Sequence, residues 1–323
     1  LGGILAGSEK VRSAAIQAAA KLGIQQAGPV LLDILQNAEA DGLSRANALA
    51  ALGAIKDPGF KAAVDEHLTD ASAEVRIQAR HELLSLNPST AVQILKAATD
   101  SESMLERQAA YRDLALSDSE LATETLLSAI EKLQNNSLPA DTRLDVREAA
   151  KASGATAVQQ AIASYESALN ADDITTKFLD SLEGGNAERG ARIFYERTQV
   201  SCVRCHKFGG RGGDVGPVLD KLGQEKDRRY LLEAIVKPNA AIAKDFESLT
   251  VVDFDGIITT GVVKVNNDEF VELQTAEGKR VRIPKDEIDF QKQSKSPMPE
   301  DLIKHLSLDD VRDLVEFLKL GTP

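Results

Sequence analysis

Through the first half of the chain apolar positions recur at steps of three and four, as in Val11, Ala14, Ala15, Ala18 and Leu22. That spacing gathers them on one face of a helix. Each such stretch gives way to a break and then a second periodic stretch: Pro29 to Leu35, Pro58 to Leu68, Pro88 to Ala97, Leu121 to Leu133 and Ala155 to Leu169. Proline near the head of several of these suits a first helical turn, where its missing N–H costs nothing. The first stretches also share an arginine. Arg12, Arg45, Arg76 and Arg107 fall 33, 31 and 31 residues apart, and Arg147 follows after 40. Two helices per unit of about 30 to 40 residues predict an α-solenoid, with five units here.

The pattern breaks at Glu183-Gly184-Gly185-Asn186, which reads as a hinge. The expected domains are residues 1–182, helical repeats, and residues 183–323. Beyond the hinge, helices are expected from Ala187 to Thr198 and from Arg228 to Val236, the second stopping before Pro238. From Glu247 to Phe290 the apolar period drops to two, interrupted at Asp255-Gly256, Asn266-Asn267-Asp268 and Glu277-Gly278. Four short strands in a meander are expected, a small antiparallel β insertion at residues 247–290. A final helix follows the capping pair Ser307 and Asp310, with an apolar stripe through Val311, Leu314, Val315 and Leu318. The fold class is mainly α.

Composition sharpens this only a little. Of 323 residues, 43% are hydrophobic and 27% charged, with aromatics at 4% and no tryptophan, which favours packed helices over a large sandwich. Asp and Glu outnumber Lys and Arg by 50 to 38, and a net charge of −12 argues against nucleic acid or an anionic membrane as partner. No stretch approaches the roughly 20 apolar residues that span a bilayer. No signal peptide is visible, and a chain opening at Leu1 reads as a portion of something longer.

The chemistry lies in Cys202-Val203-Arg204-Cys205-His206, the chain's only two cysteines and the histidine beside them. C-x-x-C-H is the attachment signature of haem c. Two thiols three residues apart on one turn can each form a thioether to a haem vinyl, and the adjacent imidazole then becomes the proximal iron ligand. Val203 and Arg204 span the gap. A zinc site would need more Cys or His ligands, and the other histidines are only His67, His81 and His305. A thioredoxin-like dithiol would follow a strand and open a helix, whereas here a helix precedes the pair and glycines follow it. A six-coordinate haem commonly takes a methionine as second axial ligand. Met298, in Ser296-Pro297-Met298-Pro299, sits in a loop stiffened by both prolines. His305 is the alternative ligand.

The repeats resemble HEAT repeats. Residues from about Gly184 to Leu320 look like a class I cytochrome c domain, with the Gly190 and Phe194 helix crossing a final helix at Phe317. Gly216-Pro217-Val218-Leu219 resembles the loop after the haem motif, which implies that the Pro217 carbonyl accepts a hydrogen bond from the proximal imidazole. More narrowly, the segment is similar to planctomycete-type C-terminal haem-binding domains, which follow HEAT-like repeats and often a predicted quinoprotein dehydrogenase propeller. By that resemblance the cofactor-binding residues are Cys202, Cys205, His206, Gly216, Pro217 and Met298, with His206 and Met298 on the iron.

The expected function is electron transfer by one covalently bound haem c, taking electrons from a dehydrogenase and passing them to another carrier. Export before haem attachment implies a bacterial periplasmic or extracytoplasmic location. Two other functions stay open: a five-coordinate haem enzyme or gas sensor, and a binding scaffold with an accessory haem. Basic residues outnumber the seven acids between Gly184 and Lys237, a candidate rim for an acidic redox partner.

Overall fold

The computed structural model describes residues 9–170 and 172–321. They fall into two compact units, Leu1–Tyr165 and Glu166–Pro323.

The first unit is a series of helix pairs: α1 (Glu9–Lys21) with α2 (Gly28–Gln36), α3 (Gly42–Ala54) with α4 (Phe60–His67), α5 (Ala73–Leu86) with α6 (Pro88–Ala98), α7 (Met104–Leu114) with α8 (Glu120–Gln134), and α9 (Arg143–Ala152) with α10 (Thr156–Ala168). Local sequence explains their ends. Asp41, Ser72, Asn87, Ser103 and Ser119 each cap a helix by accepting a backbone N–H from inside its first turn. The first helix of each pair packs on the first helix of the next, so α1, α3, α5, α7 and α9 form one continuous layer. Leucine and alanine close the core, with Leu31, Leu49, Leu52, Leu95, Leu114 and Leu126 fully buried.

The recurring arginines have a structural role. Arg45 donates to the Leu35 carbonyl at 2.8 Å and reaches both Asp70 oxygens, at 2.9 and 2.6 Å. Arg76 binds the Asp70 and Ala71 carbonyls and donates to Glu106 at 2.7 Å. Arg107 repeats this on the Ser101 and Glu102 carbonyls and on Asp141, at 2.6 Å. Each guanidinium thus ties down a turn and bridges to an acid of the next repeat, as its planar fork allows. Burial alone would raise the Glu106 carboxyl, but hydrogen bonds from Arg76 and Ser101 and the charges of Arg80 and Arg76 lower it from 4.5 to about 2. A depressed carboxyl stabilises the fold above its unfolded pKa, and that stability is lost as the pH falls through the folded value. On the order of 3 kcal/mol should therefore disappear between about pH 4.5 and 2. Urea unfolding against pH is expected to show this loss, and Glu106→Gln to flatten it.

The second unit begins at Glu166, upstream of the expected hinge, because the 3-10 helix Ile174–Ser181 adds Phe178 to its core. Its helices are α11 (Ala187–Glu196), α12 (Cys202–Cys205), α13 (Leu222–Glu225), α14 (Arg228–Val236) and α15 (Leu308–Leu320). α11 and α15 cross where Gly190 lies against the Asp313 carbonyl and the Phe317 side chain. A side chain at residue 190 would separate them. Phe194, Phe208 and Phe317 cluster around the crossing, with ring centroids 4.7 to 5.9 Å apart. The Ser307–Asp310 pair forms a full capping box at the head of α15.

A short hairpin follows α12, with β1 (Lys207–Phe208) paired to β2 (Arg211–Gly212). The insertion is larger than the four-strand meander expected. It holds β3 (Ser248–Asp253), β4 (Ile258–Asn266), β5 (Phe270–Gln274), β6 (Arg280–Pro284) and β7 (Ile288–Ser294), in the order β6-β5-β4-β3-β7, all antiparallel. The last strand leaves the meander and pairs with the first. It escaped the alternation pattern because it is an edge strand whose residues from Asp289 to Gln293 are all exposed. The second unit thus mixes helix and sheet, and "mainly α" describes the first unit alone.

Candidate functional site

The Cys202 to Cys205 turn begins after Ser201, a non-glycine residue held in the left-handed region at φ 45°. The glycine-rich loop then folds back over it. Gly213 N–H donates to the Val203 carbonyl at 2.9 Å, and Gly216 N–H to the Cys205 carbonyl at 2.8 Å. Gly216 can lie there because it lacks a side chain. A Cβ at this position would stand 2.7 to 3.1 Å from three atoms of the His206 ring. Gly216→Ala should therefore displace the ring or the loop and cost about 1–3 kcal/mol, measurable by urea unfolding of the second unit.

His206 Nδ1 lies 2.9 Å from the Pro217 carbonyl. A carbonyl only accepts, so Nδ1 carries the hydrogen and Nε2 keeps its lone pair. Burial lowers the His206 pKa against the opposing hydrogen bond to Pro217, so the ring is held neutral. A neutral imidazole with one nitrogen anchored and the other free is the form that binds a metal. Burial pushes the Cys202 thiol up to about 11. That disfavours a thiolate and with it a redox dithiol.

Cys202, His206 and Met298 line one cavity, whose wall is otherwise Phe194, Val200, Leu219, Leu231, Ile235, Leu314 and similar apolar side chains. Cys205, Gly216 and Pro217 belong to the same turn and loop, so five of the six predicted residues meet at one place through local chain. Met298 reaches it from a segment more than 90 residues away in sequence. His305 is exposed at the end of the 3-10 helix Glu300–His305 and lies outside the cavity lining. Among the described residues no three His, Cys, Asp or Glu side chains gather to hold a metal ion. The cavity lining suits an apolar cofactor, with the Cys202 thiol and the imidazole on the wall and Cys205 on the same short turn.

Several partners here were not evident in sequence. Tyr195 donates to the Phe208 carbonyl at 2.9 Å and carries Arg211 over its ring at 4.5 Å. Asn239 joins the Met298 loop from the end of α14. The basic rim is thinner than the count suggested, because Arg189, Arg197, Arg228 and Lys237 are paired with Asp313, Asp310, Glu316 and Asp173. Arg192, Arg204, Lys221 and Arg229 remain exposed. Among the described residues no helix is long and apolar enough to cross a membrane.

None of the curated proteins matches this chain. The family model for HEAT repeats matches residues 4–83, a span that runs through α1 and α3 and most of α5. Over that span the chain is similar to HEAT repeats.

Proposed function

We propose that the second unit carries one covalently attached haem c and works as an electron-transfer module. The observation that carries this is that Cys202, His206 and Met298 all open into one apolar cavity, with His206 kept neutral by burial and oriented by Pro217. In it Cys202 and Cys205 would hold the group covalently, and His206 and Met298 would bind its iron. So held, the group supplies a reversible one-electron couple. The chain's own residues do the rest. Pro217 orients the imidazole, the leucines exclude water, and the Gly213–Gly216 loop holds the attachment turn in shape. By resemblance to cytochrome c domains the donor is a dehydrogenase, of quinoprotein type, and the location is extracytoplasmic.

The test is expression with the haem-attachment machinery, followed by acid–organic extraction. Colour that stays with the polypeptide, with an intact mass raised by one haem, supports the proposal. A colourless protein, or haem that extracts freely, sinks it.

The HEAT-type match favours a second role for the first unit, as a surface that binds a partner protein. Pull-down with residues 1–165 tests it.

A further inference from the structure

Resting on the haem c reading above, we infer that Asn239 is the positioning residue for Met298, a clamp that closes the neck of the β insertion and aims the distal-ligand loop. The chain leaves the helical body after α14 and returns from β7 at Ser294, just ahead of Met298. A thioether on that returning arm would inherit the slack of the whole excursion unless its two ends were tied. Asn239 ties them. Its Oδ1 accepts from the Ser296 N–H at 2.7 Å, across 57 residues of sequence. Its Nδ2 donates to Glu300 Oε1 at 2.6 Å, across 61. One planar amide thus grips the loop on both sides of Pro297-Met298-Pro299.

The rest of the loop is built around that grip. Ser296 Oγ accepts the Met298 N–H at 3.2 Å, and Lys295 holds the other Glu300 oxygen at 2.8 Å. Pro297 and Pro299 have no N–H, so Ser296 and Met298 supply the loop's backbone donors, and both are engaged. Asn239 is itself placed by the turn that ends α14, where Ala240 N–H donates to the Lys237 carbonyl at 2.8 Å and Pro238 is buried. A neutral thioether is a weak ligand, and weak ligands depend on preorganisation. The residue type is also specific. Ser296 needs an acceptor and Glu300 a donor, and one amide supplies both. Aspartate would keep the bond to Ser296 but set a carboxylate against Glu300. Leucine would keep neither.

The test uses the full chain with haem attached, as wild type, Asn239→Leu, Asn239→Asp and the double variant Asn239→Asp with Glu300→Gln. The readings are the sulfur-to-iron absorption band of the oxidised protein, its potential, and the rate of CO binding to the reduced protein. Both single variants should weaken the band, lower the potential and speed CO binding about tenfold, the loss of one to two hydrogen bonds at the loop. Attached haem and helix content should stay unchanged. The double variant should recover toward wild type, because the Gln amide can donate to the new carboxylate. Single variants that keep the wild-type band, potential and CO rate would overturn the inference, as would a double variant no better than Asn239→Asp. A wild type without attached haem, or whose band survives Met298→Ala, removes the haem or ligand assignment instead, and the Asn239 role with it.

Discussion

A Cys202→Ser, Cys205→Ser double variant is expected to lose its colour and most of the stability of the second unit, and to leave the first unit untouched. The cavity lies within the unit's main core, lined by Phe194, Leu231, Leu314 and Leu318 of that cluster. Without attached haem these side chains lose a partner that buries them. The cost is expected to be several kcal/mol, a large share of the about 5–15 kcal/mol that stabilises a typical domain. The first unit has its own cores, rich in leucine and alanine. Calorimetry should show two transitions in the holo-protein. In the double variant one should stay in place, and the other should fall by roughly 10 °C or broaden away. A fragment of residues 1–165 should reproduce the unmoved transition. Equal melting of variant and wild type would mean that the cavity is not filled by a group held at these cysteines.

Met298→Ala should change the iron site more than the fold. It removes a neutral thioether that favours the reduced form and leaves Cys202, Cys205 and His206 in place. Three changes are expected together. The sulfur-to-iron band disappears, reduced protein becomes able to bind CO, and the potential falls on the order of 0.1 V, a fraction of the roughly 0.8 V that axial ligands span. His305→Ala should do none of these, since His305 is exposed and outside the cavity lining. The reverse pattern would assign the protein to bis-histidine ligation. If neither variant alters the spectrum, the sixth position is open, and a sensor or peroxidase-like function takes precedence.

Local rules accounted for much of what the chain does. The helix pairs followed from apolar periodicity and capping residues, signals that act within one or two turns. The Cys202, Cys205 and His206 constellation was legible for the same reason, since its geometry is set by five consecutive residues. Gly216 and Pro217 were legible through resemblance, and the fold gives the cause: a side chain at residue 216 would strike the His206 ring. The arginine period was visible without its meaning. That Arg45 reaches Asp70 and Arg76 reaches Glu106 depends on how successive repeats stack.

What escaped the sequence shares one property, which is contact between residues far apart in the chain. β7 shows no alternation because its pairing with β3 needs no buried face, only a free edge. The start of the second unit was obscured because Phe178 is assigned by belonging to the core cluster that holds Phe194 and Phe317 and not by its neighbours in sequence. Part of the basic rim vanished into ion pairs with α15 that composition cannot reveal. The amino-acid sequence by itself thus determined the helical repeats, the strand-rich insertion and the short Cys202 to His206 turn, because periodicity, caps and a five-residue turn are local physics. Only the tertiary structure decided that Met298 opens onto the same cavity as His206 and that Asn239 ties its loop, because those contacts close across about 60 to 90 residues of chain.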